Sequence, residues 1–273
     1  RRASVPEPVL CAYAESMAGI CAGGTACTRL AGLRFWHERQ GLNWLGSPRL
    51  LRILKAVALA TPHASRRDER PPVTEAMLDQ ALEALDPDRP FDVCVAAAML
   101  VMFWCQLRSG EILSPTRSYD FTLLPAVKGL RLRADAGGGL DRVTSALWLP
   151  RTKVERSGVW IWIARHYNDP SFALQDHLRV NRLEDDDPLF AYRHDVSDDL
   201  IPLTKSAFLG RLNEIWREAG MQRITGHSFR IGGTTALLRA GVDPEVVKMA
   251  GRWHSDSFLR YWRAIDEIIS SHM

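Results

Sequence analysis

The chain has 273 residues, 46% of them hydrophobic and 25% charged, with 35 Lys and Arg against 32 Asp and Glu. That much apolar material supports one or two packed domains and excludes a wholly disordered protein, while a net charge of +3 is too small to argue for nucleic acid by itself. The five cysteines are odd in number and none lies in a C-x-x-C arrangement, which excludes a disulfide framework or zinc ribbon and favours a reducing compartment.

No signal-peptide pattern opens the chain. It begins on Arg1 and not on Met, and is read as a fragment or processed form. The first segments, "PVLCAYAESMAGI" (8–20) and "TACTRLAGLRFWHERQ" (25–40), carry apolar residues at helical spacing. "SPRLLRILKAVALA" (47–60) predicts a helix with Ser47 as N-cap and Pro48 at its first position. "TPHASRRDERPPVT" (61–74) holds three prolines, three arginines and almost nothing apolar, which reads as a linker. The domain boundary is placed there, giving a helical domain over 1–66 and a second domain over 67–273.

In the second domain Thr74 caps "EAMLDQALEAL", which "DPDRP" ends. "FDVCVAAAMLVMFWCQL" (91–107) is apolar all round but carries Asp92 and is shorter than the roughly 20 residues that span a bilayer, so it predicts a buried core helix and no membrane segment. "SALWLP" (145–150) and "GVWIWIA" (158–164) predict two strands joined by the basic turn "RTKVERS". "VKGLRLRA" (127–134) is read as a further strand, closed by the glycines 137–139. The remainder reads as helical: 204–220, 227–241, 243–251 with Asp243 as N-cap and Pro244 following, and a final helix over 255–269. The fold class expected is mainly α with a small antiparallel β-sheet (α+β).

Four stretches carry chemistry. In "CQLRSGEIL", Arg108 stands where the apolar helix ends, and Glu111 lies three residues on, where it can share a helix face. In "TGHSFRIGG", His227 and Arg230 are three apart at a helix start, whose free N–H groups suit an anion, and an arginine grips phosphate with two parallel hydrogen bonds. Gly232 and Gly233 cost about 1 kcal/mol each in a helix; a close approach of ligand or backbone, or tight helix packing, would account for them. In "LPRTKVERSG", Lys153 lies at a hairpin tip from which it can reach a leaving oxygen, with Lys128 a weaker competitor. In "GRWHSDSFLRYWR" (251–263), Tyr261 follows Arg252, Trp253 and His254. A tyrosine of pKa near 10 is a poor nucleophile unless its neighbours stabilise the phenolate and several cations make the phosphate electrophilic.

The order Arg-x-x-Glu, hairpin lysine, His-x-x-Arg, a Trp/His position and a late tyrosine resembles the tyrosine recombinases over essentially the whole chain. "GHSFRIGGTT" with "GRWHSDSFLRYWR" looks most like recombinases of eukaryotic mobile elements, the Crypton and DIRS-like groups. The resemblance implies a core-binding domain over 1–66 and a catalytic domain over 67–273, closing on double-stranded DNA as a C-shaped clamp. It implies that Arg108, His227 and Arg230 grip the scissile phosphate and that Glu111 supports the pocket. Lys153 is the implied general acid, and Tyr261 the implied nucleophile, forming a 3′-phosphotyrosyl bond. Here Trp253 and His254 stand eight and seven residues before Tyr261, where many members have nine. His254 is preferred for the bond to phosphate, with Trp253 supporting.

The implied reaction uses no metal or cofactor, and the acidic run 184–187 is read as an exposed loop. Arg66, Arg67 and Arg70 of the linker, with Arg29, Arg34, Arg49, Arg52 and Lys55, are the DNA-contact candidates. A homo-oligomer is implied, a dimer on one site and a tetramer in the synaptic complex. Location is nuclear if the source is eukaryotic and otherwise cytoplasmic. The alternatives are a type IB topoisomerase-like enzyme and a catalytically silent DNA-binding protein.

Overall fold

The computed structural model describes residues 3–66, 70–132, 145–153, 155–253 and 258. The chain divides into two compact units, Arg1–Glu69 and Arg70–Met273.

Among its described residues the first unit contains three α-helices, α1 (Glu7–Glu15), α2 (Gly23–Arg39) and α3 (Pro48–Leu59), and a 3-10 turn at His63–Ser65. Ser47 caps α3 by accepting a hydrogen bond from the Arg49 N–H, and Pro48 takes the first position, where no N–H is needed. Leu10, Ala14, Leu30, Leu50, Leu54 and Val57 form the core. A Cβ at Gly23 would lie 2.4 Å from that of Ala58, so only glycine lets the start of α2 meet the end of α3.

In the second unit Thr74 caps α4 (Glu75–Ala84), accepting from the Met77 N–H. The central helix α5 (Pro90–Trp104) is buried on nearly every side. The short α6 (Ser109–Ile112) follows it at once. Three strands form an antiparallel sheet in the order β1 (Leu130–Arg131), β2 (Ser145–Leu149), β3 (Val159–Ile163). The register pairs Leu147 with Ile161 and Trp148 with Trp160. Pleating therefore sends Leu147, Ile161 and Leu149 into the core and the tryptophans to the other face. The stretch read as a strand from residue 127 begins instead as a 3-10 turn, Val127–Gly129, and only two of its described residues pair in the sheet. The turn is tied to the acidic loop, where Lys128 N–H donates to the Asp185 carbonyl at 2.9 Å.

A helix α7 (Pro170–Asn181) and a two-stranded antiparallel sheet, β4 (Ala191–Arg193) with β5 (Leu200–Pro202), fill the stretch before residue 204, in which the sequence reading named no element. Then come α8 (Lys205–Glu218), α9 (Gly226–Arg239) and α10 (Pro244–Ala250), the last capped by Asp243. The final helix expected over 255–269 lies outside the described residues, apart from Phe258.

Gly232 and Gly233 are explained by packing. An added Cβ would stand 1.9 Å from the Val73 carbonyl oxygen at Gly232 and 1.9 Å from that of Phe103 at Gly233. The pair brings α9 against the backbone of α5 and of the segment before α4, and Val73 N–H donates to the Ser228 carbonyl at 3.1 Å. This packing orients the first turn of α9, which carries His227.

Among the described residues no helix is long and apolar enough to cross a membrane. Likewise, no group of three His, Cys, Asp or Glu side chains is placed to hold a metal ion.

Candidate active site

The end of α5 leads into a left-handed residue, Gln106 (φ 50°), and Arg108 then opens α6. The α6 turn is held by Glu111. Its carboxylate accepts from the Arg108 backbone N–H at 3.0 Å and from the Arg108 guanidinium at 3.0 Å. It also accepts from the Arg252 guanidinium at 3.1 Å. Glu111 is buried and Arg108 only partly so, so one carboxylate anchors two arginines while leaving Arg108 open to solvent on one side. Charge-assisted bonds of this kind are short and directional, which fixes the arginine rotamer.

The start of α9 abuts the start of α6. A Cβ on Gly226 would lie 2.4 Å from Ser109 Oγ, so glycine is required for the two first turns to touch. The N–H groups of a helix's first turn have no intrahelical acceptor and carry partial positive charge. His227, half-buried, stands in that turn of α9.

The β2–β3 turn supplies the third wall. Thr152 N–H donates to the Glu155 carbonyl at 2.7 Å, and Glu155 N–H donates to Thr152 Oγ1 at 2.9 Å. This closed turn holds Arg151 and Lys153 exposed on either side of the buried Thr152.

These three segments enclose a cavity of about 550 Å³. Among the described residues, the cationic side chains of Arg70, Arg108, Arg151, Lys153 and Lys205 line it together with His227 and the carboxylate of Glu111. An open, strongly positive concavity with helix N-termini in its wall suits a phosphate or another anion.

Of the site residues read from the sequence, the fold brings Arg108, Glu111, Lys153, His227 and Arg70 to this cavity. Arg230 goes elsewhere. It is completely buried, and its guanidinium donates to the carbonyls of Gln106 and Gly251. It also lies under the Trp253 ring, 3.8 Å from the centroid. His227 and Arg230 thus start on neighbouring faces of α9, but only His227 lines the cavity. Tyr261, His254 and Arg67 lie outside the described residues. Lys128 is not among the residues lining the cavity and pairs with Asp186 at 2.7 Å, which lowers the Asp186 pKa.

In the first unit Arg49, Arg52 and Lys55 follow one another at three-residue steps on α3. They are exposed on the face opposite Leu50, Leu54 and Val57. Arg29 and Arg66 are also exposed, and Arg34 pairs with Glu38 at 2.9 Å on the surface of α2.

Sequence reading missed Arg151 and Lys205 as cavity residues, and Gln106 as an organiser. Gln106 accepts from Arg230 and, through Oε1, from Thr234 Oγ1 at 2.8 Å, and its amide donates to the Val247 carbonyl at 3.3 Å. Arg151 stands in the quoted basic turn two residues before Lys153, and that spacing across an extended segment was the available signal. Lys205 had none beyond its place at the start of α8.

Residues 164–267 match the model of the phage integrase family. No curated protein sequence matches the chain. Among solved structures, the chain is similar to the XerH site-specific recombinase bound to palindromic difH substrate in a post-cleavage complex. The identity there is 12% with a TM-score of 0.54, covering 98% of this chain and 71% of that one. It is also similar to the Tn1549 transposon integrase in complex with circular intermediate DNA, at 15% identity and a TM-score of 0.51, covering 95% of this chain and 81% of that one. The mostly helical chain with its small antiparallel sheets has the fold of tyrosine recombinase catalytic domains.

Proposed function

We propose that this chain is a site-specific DNA recombinase or integrase that cuts and rejoins strands through a covalent phosphotyrosine. In the cleavage step Tyr261 gives its hydroxyl proton to water as its oxygen attacks the scissile phosphorus and forms a 3′-phosphotyrosyl bond. The bond from phosphorus to the 5′-oxygen breaks, and Lys153 gives the leaving oxygen its proton. Arg108 and His227 hold the non-bridging oxygens while charge builds on them. The phosphotyrosyl bond conserves the energy of the phosphodiester, so rejoining is the same step reversed. The observation that carries the reading is the convergence of Arg108, Lys153 and His227, from three distant parts of the chain, on one cationic cavity.

The partner in this reading is double-stranded DNA, engaged by copies of the chain assembled on paired sites. The XerH and Tn1549 neighbours, both solved on DNA, support it. The wording of the motifs around His227 and Tyr261 supports an origin in a mobile element. Incubation with a randomised duplex library, denaturing capture of protein-linked DNA and sequencing of what is captured tests the proposal. The expected result is one enriched site with the native chain and none with Tyr261→Phe. Enrichment by Tyr261→Phe under denaturing capture would refute it.

One observation favours a second reading, a DNA-binding protein that does not cut. The Arg230 guanidinium is engaged by two backbone carbonyls and the Trp253 ring. On that reading the selected site is recovered under native capture only.

A further inference from the structure

A second concavity, of about 780 Å³, lies on the outer face of the three-stranded sheet. Its walls are Trp148, Trp160, Phe121, Arg131, Lys128 and Asp186. Trp148 and Trp160 are direct cross-strand partners with ring centroids 5.4 Å apart, and the Arg131 guanidinium carbon stands 4.1 Å over the Trp160 ring. Trp162, two residues along β3 on the same face, is 68% exposed.

The Trp148 ring is held in place by bare backbone. A Cβ on Gly158, which has φ +86°, would come within 2.2 Å of Trp148 Cζ2, and one on Gly129 within 3.2 Å of Trp148 Cβ. A cross-strand tryptophan pair stabilises a hairpin whatever else it does. That alone does not account for the cavity beside it or for the guanidinium over the ring.

Charge separates the two concavities. Among the described residues, five cations and one carboxylate line the active-site cavity. In this one Lys128 is bonded to Asp186, and Arg131 lies on an aromatic face. The first suits a phosphate and the second a flat aromatic group. The two also adjoin along the chain twice over. Trp148 and Pro150 line the second, while Arg151, Thr152 and Lys153 line the first. Phe121 lines the second, and Leu123 the first.

We infer that the sheet face carrying Trp148 and Trp160 binds an unpaired nucleobase of the DNA strand whose phosphate occupies the cavity of Arg108 and Lys153, by stacking. The inference rests on the DNA-cutting reading above and adds a base-binding subsite to it. Aromatic platforms with a nearby guanidinium accept any base, because every base has a π face, and truncating one such aromatic weakens single-strand binding by about tenfold. The subsite therefore favours strands that are gapped or easily unpaired beside the cut, with little preference among bases.

The test compares two DNA probes at one salt concentration, a fully paired duplex and the same duplex with a short run of unpaired thymidines. The full chain is expected to bind the gapped probe about tenfold tighter and to lose tryptophan fluorescence on binding it. Trp160→Ala should erase that preference while leaving paired-duplex affinity unchanged, and Trp160→Phe should keep most of it. Phe121→Ser, in a loop at the rim, provides the same test without touching the hairpin. Equal affinity of the native chain for both probes, or losses that are the same on both probes for Trp160→Ala and Phe121→Ser, would overturn the inference. The outcome is independent of cleavage. A gap preference without any phosphotyrosyl adduct removes only the functional reading, and an adduct without a gap preference removes only the subsite.

Discussion

At the scale of single residues, Glu111 and Lys153 make the sharpest demands. Glu111 is a buried carboxylate whose three hydrogen bonds go to Arg108 and Arg252. Replacing it with Ala strands two guanidinium groups in a partly desolvated site. A loss of about 3 kcal/mol is expected, read as a lower denaturation midpoint. Lys153 is exposed at the tip of a closed turn, so Lys153→Ala should leave stability within about 0.5 kcal/mol. If Lys153 protonates the leaving 5′-oxygen, its loss should slow strand cleavage by about 10²- to 10⁴-fold. A substrate with sulfur at that bridging position needs little protonation, because a thiol is far more acidic than an alcohol. Single-turnover cleavage of this substrate by Lys153→Ala should therefore approach the native rate, and an equal deficit on both substrates would assign Lys153 to binding alone. The meeting of Arg108, Glu111, Lys153 and His227 at one cavity was legible because their order along the chain pointed to it, whereas Tyr261 lies outside the described residues. Arg151 and Lys205 were not legible, since an exposed cation is ordinary in a sequence and only long-range folding brings it to a cavity. The fate of Arg230 was illegible for a related reason. It depends on the carbonyls of Gln106 and Gly251, which come from two other segments.

At the scale of elements, packing of α9 on α5 sets the site. Gly233→Ala should gain about 1 kcal/mol in helix propensity but force a methyl group against the Phe103 carbonyl. The net expectation is destabilisation of about 2 kcal/mol, visible in chemical denaturation. A second element test uses pH. His177 on α7 is fully buried, and its Nε2 faces the Leu189 carbonyl at 2.8 Å while Nδ1 faces the Asn181 amide at 2.9 Å. Burial pushes its pKa down from 6.5 to about 4. Between those values the unfolded chain takes up a proton that the folded chain refuses, so stability falls as pH drops from 6.5 to about 4. The contribution reaches at most about 3 kcal/mol, and His177→Gln should flatten that part of the stability profile. The helix starts at Ser47, Thr74 and Asp243 were legible because capping is local chemistry. β4 and β5 were not, because three-residue strands carry too little alternation to stand out and are fixed by their pairing.

At the scale of the whole molecule, the proposed DNA binding is electrostatic and the proposed cutting covalent. Affinity should fall linearly with salt on a logarithmic plot. Replacing Arg49, Arg52 and Lys55 of α3 with Gln should lower the slope by about 0.9 for each phosphate no longer neutralised, with no change in which site is cut. Unchanged slopes would remove that helix face from the interface. The central claim is that the strand becomes joined to Tyr261, and one measurement reaches it directly. A complex trapped on a nicked substrate is digested with protease and nuclease, and its peptides are weighed. The expected result is a single modified peptide, the one containing Tyr261, heavier by the attached 3′-nucleotide and absent with Tyr261→Phe. A nucleotide on any other residue, or a protein that binds its own site and carries none, would contradict it.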